Sequence, residues 1–532
     1  MQGLVAPSRS WTLNPVPFSR GQPKLQPASI LYRGLPAHAS ARARAARREV
    51  KAMSILQGIM RGFSGGSINT TDGGRRPNAA LSFSDNAPTW EQLADIVRAQ
   101  HTEFGVDFWA DPNEGPTHPL ALKRLFGKSG PVRVKLYRDH AAWCPYCHKV
   151  WLQLEEKRIP YVIEKINMRC YGDKPPSFMA KVPSGLLPVI ELDGRVVTES
   201  AVIMALLEDT FPDHKPLMPP AGTPARQRAD GLMRLERKLF SDWLNWLCSD
   251  WNHDRAKKQF EATMDLVAAE MEREGGPFFL GPEISLVDIT FCPMLERIAA
   301  SLSYYKGLYI RGQGRWPAVD GWFAAMESRP TYLGTRSDYY THAHDLPPQL
   351  GGCAMHEEGV PVAAAIDGID GRAWRLPLAS LSATSLPEPY SPGDNPPVDR
   401  LEAAAKLVRN HEAVVKFALR GPGQPGPRPV AAPLADPTAI PALEHTAEAD
   451  AALRHVAHVL LVGVEAKQVS PHALQTSASI GLSGKAVVSA AEYFRDRVGV
   501  PRDMRYPAAR QLRAHLNWLI DNLRGETDVA TA

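Results

Sequence analysis

The stretch Trp143-Cys144-Pro145-Tyr146-Cys147 decides how the centre of this 532-residue chain is interpreted. It follows an alternating apolar run at 132–137 and precedes a segment with helical character at 148–157. A C-x-x-C pair between a strand and a helix is typical of a redox-active thiol site. At a helix N-terminus the unpaired N–H groups and the helix dipole favour the thiolate of Cys144, and the proline suits the first turn. Cys147 falls one turn later on the same face, close enough to attack a mixed disulfide on Cys144.

A zinc site and a purely structural pair are the alternative interpretations of these cysteines. A zinc site would require a second ligand pair at short spacing. The remaining cysteines are scattered singly in the sequence, at positions 170, 248, 292 and 353. We therefore expect a redox-active thiol and no metal site.

The composition is that of a globular protein, with 44% hydrophobic and 22% charged residues. No run approaches the ~18 consecutive apolar residues that a membrane helix requires, so we expect no membrane partner. Six cysteines are too few for a disulfide-stapled secreted chain. The length predicts three or four domains, and the 47 prolines indicate long linkers.

Residues 1–50 differ from the rest of the chain. Positions 1–48 contain eight Arg or Lys residues and no Asp or Glu, as in an organelle transit peptide. A secretory signal would need an apolar core of about 7 to 15 residues, and none is visible. Removing the eight basic residues takes the formal net charge from +4 to −4, so the basic balance gives no reason to expect a nucleic-acid partner. A retained, disordered basic tail is the alternative.

Residues 51–130 are predicted to form an extension with one helix, capped by Thr89 and ending near Phe104. From 131 to 213 the pattern becomes strand, helix, strand, helix, strand, strand, helix. The short connection between the first two strands implies a parallel pair with a right-handed crossover. Asp193-Gly194 between two apolar runs predicts a tight antiparallel hairpin.

Pro188 stands inside the predicted third strand, 187–192, where proline is normally disfavoured. A cis bond after Leu187 would explain it and would leave the backbone of Leu187 free to bind something extended. An edge strand that tolerates proline is the alternative. With the C-x-x-C motif upstream, we expect the cis bond.

Three motifs carry a resemblance to a known family. They are Cys144-Pro145-Tyr146-Cys147, the run from Val182 to Val189 that contains Leu187-Pro188, and Thr198-Glu199-Ser200. Residues 131–213 resemble the thioredoxin-fold glutathione-binding domain of the glutathione transferases. Glutaredoxins share C-P-Y-C, but the Glu-Ser pair ahead of an apolar helix is similar to that of the transferases.

Residues 222–342 resemble the all-α domain of the same family, including a capping box at Ser285-x-x-Asp288. Beyond this point the resemblance ends. We predict a linker at 343–398, with one short element near Trp374, and a C-terminal helical domain at 399–532 to which the sequence assigns no role. This domain is expected to begin with one amphipathic helix at 401–419. The predicted fold is therefore an α/β thioredoxin-like domain, an all-α transferase domain and an additional helical domain.

A cysteine at the catalytic position and a long C-terminal extension resemble the iota class of photosynthetic organisms. That resemblance implies that the N-terminal segment directs the chain to the chloroplast, with the mitochondrion as the alternative.

Two further motifs carry less weight. The run at 481–486 resembles a phosphate loop, but Ser479 stands where a glycine is required and Ala486 replaces the required Ser or Thr. His455 and His458 share a helical face that could bind a metal or a tetrapyrrole, and we expect both to be solvated instead.

The resemblance also implies a mechanism. In cysteine-type members the thiolate, here Cys144, attacks a glutathionylated substrate and holds glutathione as a mixed disulfide. A second glutathione or Cys147 then resolves it. Most cysteine-type members have no second cysteine, so Cys147 leaves open disulfide reduction or an iron–sulfur cluster shared by two chains with glutathione as co-ligand. We expect thiol chemistry.

The glutathione-binding residues are carried over from the family motifs. Leu187, next to Pro188, is expected to pair through its backbone with the cysteinyl part of glutathione. Glu199 and Ser200 are expected to hold the γ-glutamyl end, with a simple helix cap as the alternative role. Lys181 falls near the position of a lysine that faces the glycyl carboxylate.

We therefore predict a glutathione-dependent thiol transferase or reductase that acts on a small thiol, disulfide or electrophilic substrate, in an assembly compatible with a homodimer. The alternative is a non-catalytic protein that binds glutathione or hydrophobic ligands, or that serves as a scaffold for the C-terminal bundle. The presence of Cys144 favours the enzyme, because a protein that only binds ligands has no need of a reactive thiolate.

Overall fold

The computed structural model describes residues 87–168, 171–427, 430–463 and 484–524. The predicted transit segment, Cys170 and the first half of the phosphate-loop-like run, residues 481–483, lie outside these ranges.

A five-stranded mixed sheet, in the order β1-β3-β2-β4-β5, supports the predicted site. Its strands are β1 (Lys123–Arg124), β2 (Val134–Asp139), β3 (Tyr161–Ile166), β4 (Val189–Leu192) and β5 (Arg195–Thr198). β2 and β3 run parallel, as predicted, with Val134 opposite Tyr161. The other neighbouring strands are antiparallel, including the β4–β5 hairpin. β1 was not predicted, because two residues carry no periodicity of their own.

Four helices lie in the first part of the described chain, before the all-α domain. They are α1 (Trp90–Phe104), α2 (Pro145–Lys157), α3 (Pro176–Lys181) and α4 (Ser200–Thr210). From Cys147 to its last residue α2 is buried throughout, because it lies between the sheet and the helical domain that follows. The thioredoxin-like α/β arrangement is confirmed.

The following helices form the all-α domain. They are α5 (Pro224–Leu247), α6 (His253–Glu272), α7 (Leu286–Lys306), α8 (Pro317–Glu327), α9 (Pro330–Leu333) and α10 (Tyr339–Leu350). Every residue of α7 is buried. The predicted capping box at its start is confirmed: Ser285 N–H donates to Asp288 at 2.9 Å, and the Trp322 indole donates to the same carboxylate at 2.9 Å. The two bonds fix the central helix of the domain at its N-terminus.

The segment 343–398, predicted as a linker, contains the end of α10 and a further helix, α11 (Val360–Ile366). Trp374 and Tyr390 are buried, and Glu388 accepts a hydrogen bond from Arg336 of the all-α domain at 2.9 Å. Aromatic side chains spaced along the segment let it bury apolar surface, so it packs on the all-α domain despite its many prolines and glycines.

The C-terminal helices are α12 (Pro396–Arg409), α13 (His411–Ala418), α14 (Thr446–Val462), α15 (Gly484–Arg495) and α16 (Tyr506–Arg524). The single helix expected at 401–419 is two helices that meet at Asn410. The expectation of solvated histidines is wrong for His455, which is buried on the packed face of α14.

The predicted N-terminal helix α1 belongs to this C-terminal bundle. Leu93 and Val97 share one apolar core with α12 to α16. The Trp90 indole donates to Asp450 at 2.7 Å, and the Trp109 indole donates to the Ala405 carbonyl at 2.9 Å. Thr89 caps the helix, as predicted. The two ends of the described chain therefore form one bundle.

Among the helices of the described ranges, none is both long enough and apolar enough to cross a membrane.

Candidate active site

Cys144 is the N-cap residue of α2, at the point where the loop from β2 enters the helix. Its sulfur accepts the backbone N–H of Cys147 at 3.4 Å, and only 7% of the residue is exposed. Pro145 occupies the first turn, as the sequence predicts. The sulfur therefore lies where helix N–H groups stabilise negative charge.

Cys147 lies beneath Cys144 and is 1% exposed. Burial, together with the hydrogen bond to Cys144, raises the pKa of the Cys147 thiol well above its ordinary value. Cys147 therefore keeps its proton at neutral pH, while Cys144 is the thiol at the helix end. The two cysteines therefore lie in different surroundings although they share one motif.

Asp139, which the sequence analysis missed, is the third member of this cluster. Its carboxylate oxygen, Cys144 Sγ and Cys147 Sγ all lie within 4.8 Å of one another. Asp139 Oδ2 also accepts the backbone N–H of Trp143 at 2.6 Å. A structural zinc site takes four protein ligands, and the described part of the chain brings three ligand atoms together here. The one signal in the sequence is that Asp139 ends the strand that leads to the motif.

Trp143, immediately before Cys144, bonds to one nearby and two distant parts of the chain. Its N–H bonds to Asp139 at the end of β2, and its carbonyl accepts a hydrogen bond from buried Arg297 of α7 at 2.6 Å. Its indole N–H donates to the Val500 carbonyl at 3.3 Å. Both the all-α domain and the C-terminal extension therefore fix the position of the loop that presents Cys144.

The C-terminal extension also reaches the buried cluster that contains Cys144 and Cys147. Leu434 packs against this cluster, as Leu187 does. The guanidinium of Arg502 lies 5.5 Å from the centre of the Trp143 ring. No sequence pattern pointed to this contact, because these residues lie hundreds of positions from the motif.

The cis bond between Leu187 and Pro188 is confirmed. β4 begins at Val189, so Leu187 lies outside the ladder of the sheet. Leu187 packs against the cysteine cluster, which brings it to the same place as Cys144.

Glu199 and Ser200 lie at the junction of β5 and α4. Glu199 has a φ of 68°, in the left-handed region that residues with side chains rarely adopt, and it is exposed. Its side chain makes no cap hydrogen bond, so the alternative role as a simple helix cap is not supported for Glu199. Backbone conformations of this kind cost about 1–3 kcal/mol and cluster at ligand sites. Ser200 begins α4, where N–H groups favour a carboxylate.

Lys181 is engaged with protein groups. Its ammonium forms an ion pair with Glu191 and donates to the Tyr137 hydroxyl at 3.1 Å. The hydrogen bond to Glu191, followed by that to Tyr137, raises the pKa of Lys181. A contact with the glycyl carboxylate of glutathione would require Lys181 to leave or share Glu191, and it stays a prediction.

A buried polar network lies between α2 and the all-α domain. His148 bonds to the Thr335 hydroxyl at 2.7 Å, and His342 bonds to Glu296 at 2.6 Å. Burial lowers the pKa of His148 to about 4, so it is neutral. Burial disfavours the charge of Glu296, but His342 outweighs it and holds the pKa of Glu296 well below its usual range. The first of these bonds joins α2 to the segment that follows α9, and the second joins α10 to α7.

Comparisons with known proteins agree with this architecture. Residues 143–210 match the family model "Glutathione S-transferase, N-terminal domain", and residues 251–325 match "Glutathione S-transferase, C-terminal domain". The chain is 30% identical over 194 residues to glutathione S-transferase DHAR2 of Arabidopsis thaliana, covering 36% of this chain and 84% of the relative. It is 28% identical over 201 residues to the chloroplastic glutathione S-transferase DHAR3 of the same plant, covering 37% and 69%.

Among solved structures, a dehydroascorbate reductase of Chlamydomonas reinhardtii is 24% identical, with a TM-score of 0.31, over 40% of this chain and 94% of that one. The two family-model matches end at residue 325, and each of these relatives and the solved structure covers 40% of this chain or less. Three findings agree on the family. Two family models match, a relative that is 30% identical is covered over 84% of its length, and a thioredoxin-like sheet is followed by an all-α domain. The chain therefore belongs to the glutathione S-transferase family and is a glutathione-dependent transferase or oxidoreductase.

Proposed function

We propose that the protein is a cysteine-type thiol transferase that removes glutathione from small mixed disulfides through Cys144. The observation that carries the proposal is the position of Cys144 Sγ at the N-terminus of α2, where it accepts the N–H of Cys147. Glutathione is the co-substrate.

The first step is a thiol–disulfide exchange. The Cys144 thiolate attacks the glutathione sulfur of a mixed disulfide, the bond between the two sulfurs of the substrate breaks, and the substrate leaves as a thiolate that takes up a proton. The product on the enzyme is a disulfide between Cys144 and glutathione. Leu187, Pro188, Glu199 and Ser200 are the residues we assign to binding this glutathione, with Lys181 as the residue for its glycyl carboxylate.

The second step regenerates the thiolate. A second glutathione thiolate attacks the bound glutathione sulfur, which releases glutathione disulfide and returns Cys144 to the thiolate. Resolution by Cys147 would require this thiol to lose its proton, and its burial and raised pKa oppose that. We therefore assign Cys147 to hydrogen bonding with Cys144 during normal turnover.

The test is glutathione-dependent reduction of the mixed disulfide of glutathione and mercaptoethanol. We expect Cys144→Ser to lose activity by at least about a thousandfold, since the nucleophile is removed. We expect Cys147→Ser to keep activity within about tenfold. Cys248→Ser, which removes an exposed thiol far from α2, is the matched control.

Loss of activity in Cys147→Ser with intact folding would replace this scheme by dithiol chemistry. A wild-type protein that binds glutathione but reduces neither this substrate nor dehydroascorbate would instead support a non-catalytic carrier of glutathione or hydrophobic ligands. Dehydroascorbate is included because the algal protein of similar sequence is described as a dehydroascorbate reductase.

We also propose that the protein belongs to the iota class and acts in the chloroplast. The C-P-Y-C motif and the C-terminal extension support the class, and the basic, acid-free composition of residues 1–48 supports the location. One relative is named as chloroplastic. A fusion of residues 1–50 to a fluorescent protein should enter plastids, and entry into mitochondria instead would contradict the proposal.

A further inference from the structure

Two cysteines outside the candidate active site, Cys248 and Cys353, lie in neighbouring segments that a backbone hydrogen bond joins. Cys248 is the C-cap residue of α5, and Cys353 lies three residues after the end of α10. The backbone N–H of Ala354 donates to the Leu247 carbonyl at 2.8 Å, which joins the two segments beside the thiols. This backbone bond brings Cys248 and Cys353, the residues next to its two partners, close enough for each thiol to affect the pKa of the other. Both cysteines are free.

The surroundings make the two thiols unequal. Cys248 is exposed, whereas Cys353 is half-buried. The ammonium of Lys306 lies nearby and donates to the Ser249 carbonyl at 3.2 Å. The hydrogen bond from Cys353, helped by the charge of Lys306, lowers the pKa of Cys248, whereas burial raises the pKa of Cys353 well above its usual value. Cys248 is therefore an accessible thiol with a lowered pKa, and its neighbour Cys353 is a thiol with a raised pKa.

We propose that Cys248 and Cys353 form a second dithiol, which disulfides of the glutathione type oxidise to an intramolecular disulfide. The backbone bond that joins the two cysteine-bearing segments and the ammonium of Lys306 beside them carry this inference. It does not depend on the reaction at Cys144.

The oxidation balances in two exchanges. The Cys248 thiolate attacks one sulfur of glutathione disulfide, the sulfur–sulfur bond breaks, and one glutathione leaves as a thiolate. Cys353 then attacks the Cys248 sulfur of the mixed disulfide, and the second glutathione leaves and takes the proton of Cys353. Two protein thiols are oxidised, and one glutathione disulfide is reduced to two glutathiones.

The disulfide would join the end of α5 to the segment that leads into α11. That segment is already bonded to α7, because the His356 N–H donates to the Tyr305 carbonyl at 2.8 Å. A covalent bond here encloses α6 to α10 in one loop, and long enclosed loops reduce the freedom of the unfolded chain. The midpoint of thermal unfolding should therefore rise on oxidation.

The experiment uses the full chain, both wild type and with Cys144→Ser and Cys147→Ser, so that the active-site thiols do not react. The protein is incubated with glutathione disulfide at neutral pH, the free thiols are alkylated, and peptides are mapped by mass spectrometry without reduction. We expect the loss of two free thiols and a peptide pair joined through Cys248 and Cys353. Cys292, which is fully buried, should remain a free thiol and serves as the internal control.

Single variants test the order of events. Cys353→Ser should stop at one glutathione on Cys248, and Cys248→Ser should leave Cys353 unmodified over the same time. Lys306→Gln should slow the modification of Cys248 by about threefold or more, because its charge favours the thiolate.

Three results would overturn the proposal. The first is a wild-type map in which both thiols remain free. The second is a stable glutathione adduct on Cys248 with Cys353 still reduced. The third is a disulfide from either thiol to Cys170 in place of the expected pair.

Discussion

Replacing Arg513 by Met should destabilise the packing of the C-terminal bundle on the all-α domain and lower the free energy of unfolding. Arg513 of α16 and Asp338, the cap of α10, form an ion pair at 2.6 Å, and both side chains are 1% exposed. The guanidinium also donates to the Val498 carbonyl at 2.9 Å and lies 4.6 Å from the centre of the Tyr340 ring. Burial disfavours the charge of Asp338, but Arg513 outweighs it and holds the pKa of that carboxyl below its usual range.

The magnitude follows from what the substitution leaves behind. Met fills much of the volume of the arginine stem, so the main loss is electrostatic: Asp338 keeps its charge with no cation beside it. Removing one partner of a buried ion pair typically costs about 3–5 kcal/mol. We expect Arg513→Met to lower the free energy of unfolding by about that amount at pH 7, where both wild-type groups are charged.

Guanidinium chloride denaturation followed by tryptophan fluorescence measures this change. Arg524→Met is the matched control, because Arg524 lies on the same helix and pairs with Glu492 at 2.7 Å in an exposed position. It should change the free energy of unfolding by less than about 1 kcal/mol.

The double variant with Asp338→Asn provides the decisive comparison. Since the charge left unpaired by Arg513→Met is removed, the double variant should lose at least about 1 kcal/mol less than the sum of the two single losses. Additive effects, or a loss below about 1 kcal/mol in Arg513→Met, would refute the reasoning.

Three further predictions concern the site and its supports. Leu434→Ala should raise the rate at which iodoacetamide alkylates Cys144 about threefold or more, since it removes part of the cover over the sulfur, and an unchanged rate would argue against that cover. Arg297→Met should lower the free energy of unfolding by about 1–3 kcal/mol and reduce kcat, because the Trp143 carbonyl loses its donor; full activity would show that the loop needs no such support. Burial lowers the pKa of His148 to about 4, so the unfolded chain binds a proton that the folded chain does not, and stability should fall as pH drops from about 6.5 towards 4. His148→Gln should flatten that fall by up to about 3 kcal/mol in pH-dependent denaturation, and an identical pH profile would contradict the assignment.

The sequence was most informative where local rules decide the structure. Alternation of apolar residues at 132–137 located most of β2, and Asp193-Gly194 located the hairpin. The cap at Thr89 and the capping box at Ser285 are likewise short-range bonds, and both were predicted. The sequence correctly placed Cys144 at a helix N-terminus, because the strand before the C-x-x-C motif and the helix after it could both be recognised from their apolar residues.

Tertiary contacts account for what the sequence did not reveal. Arg297 and Trp143 are 154 positions apart, and Val500 and Trp143 are 357 apart, so no pattern in a local window connects them. The placement of α1 in the C-terminal bundle depends on the Trp90–Asp450 bond, which joins opposite ends of the described chain. The break at Asn410 was missed because the apolar spacing continues across it.

The hydrogen bond between the Trp143 indole and the Val500 carbonyl connects the loop that carries Cys144 to the C-terminal extension, so any ligand of Cys144 that prefers one position of the extension is coupled to its docking. Coupling of this kind is reciprocal. A glutathione adduct that binds more tightly when Leu434 moves away must weaken the docking of the extension by the same factor. A molecule that binds the extension in its docked position must, in the same way, weaken the binding of glutathione in that adduct at Cys144. For such a ligand the extension is an effector that belongs to the same polypeptide. Its local concentration is fixed by the chain and does not change on dilution.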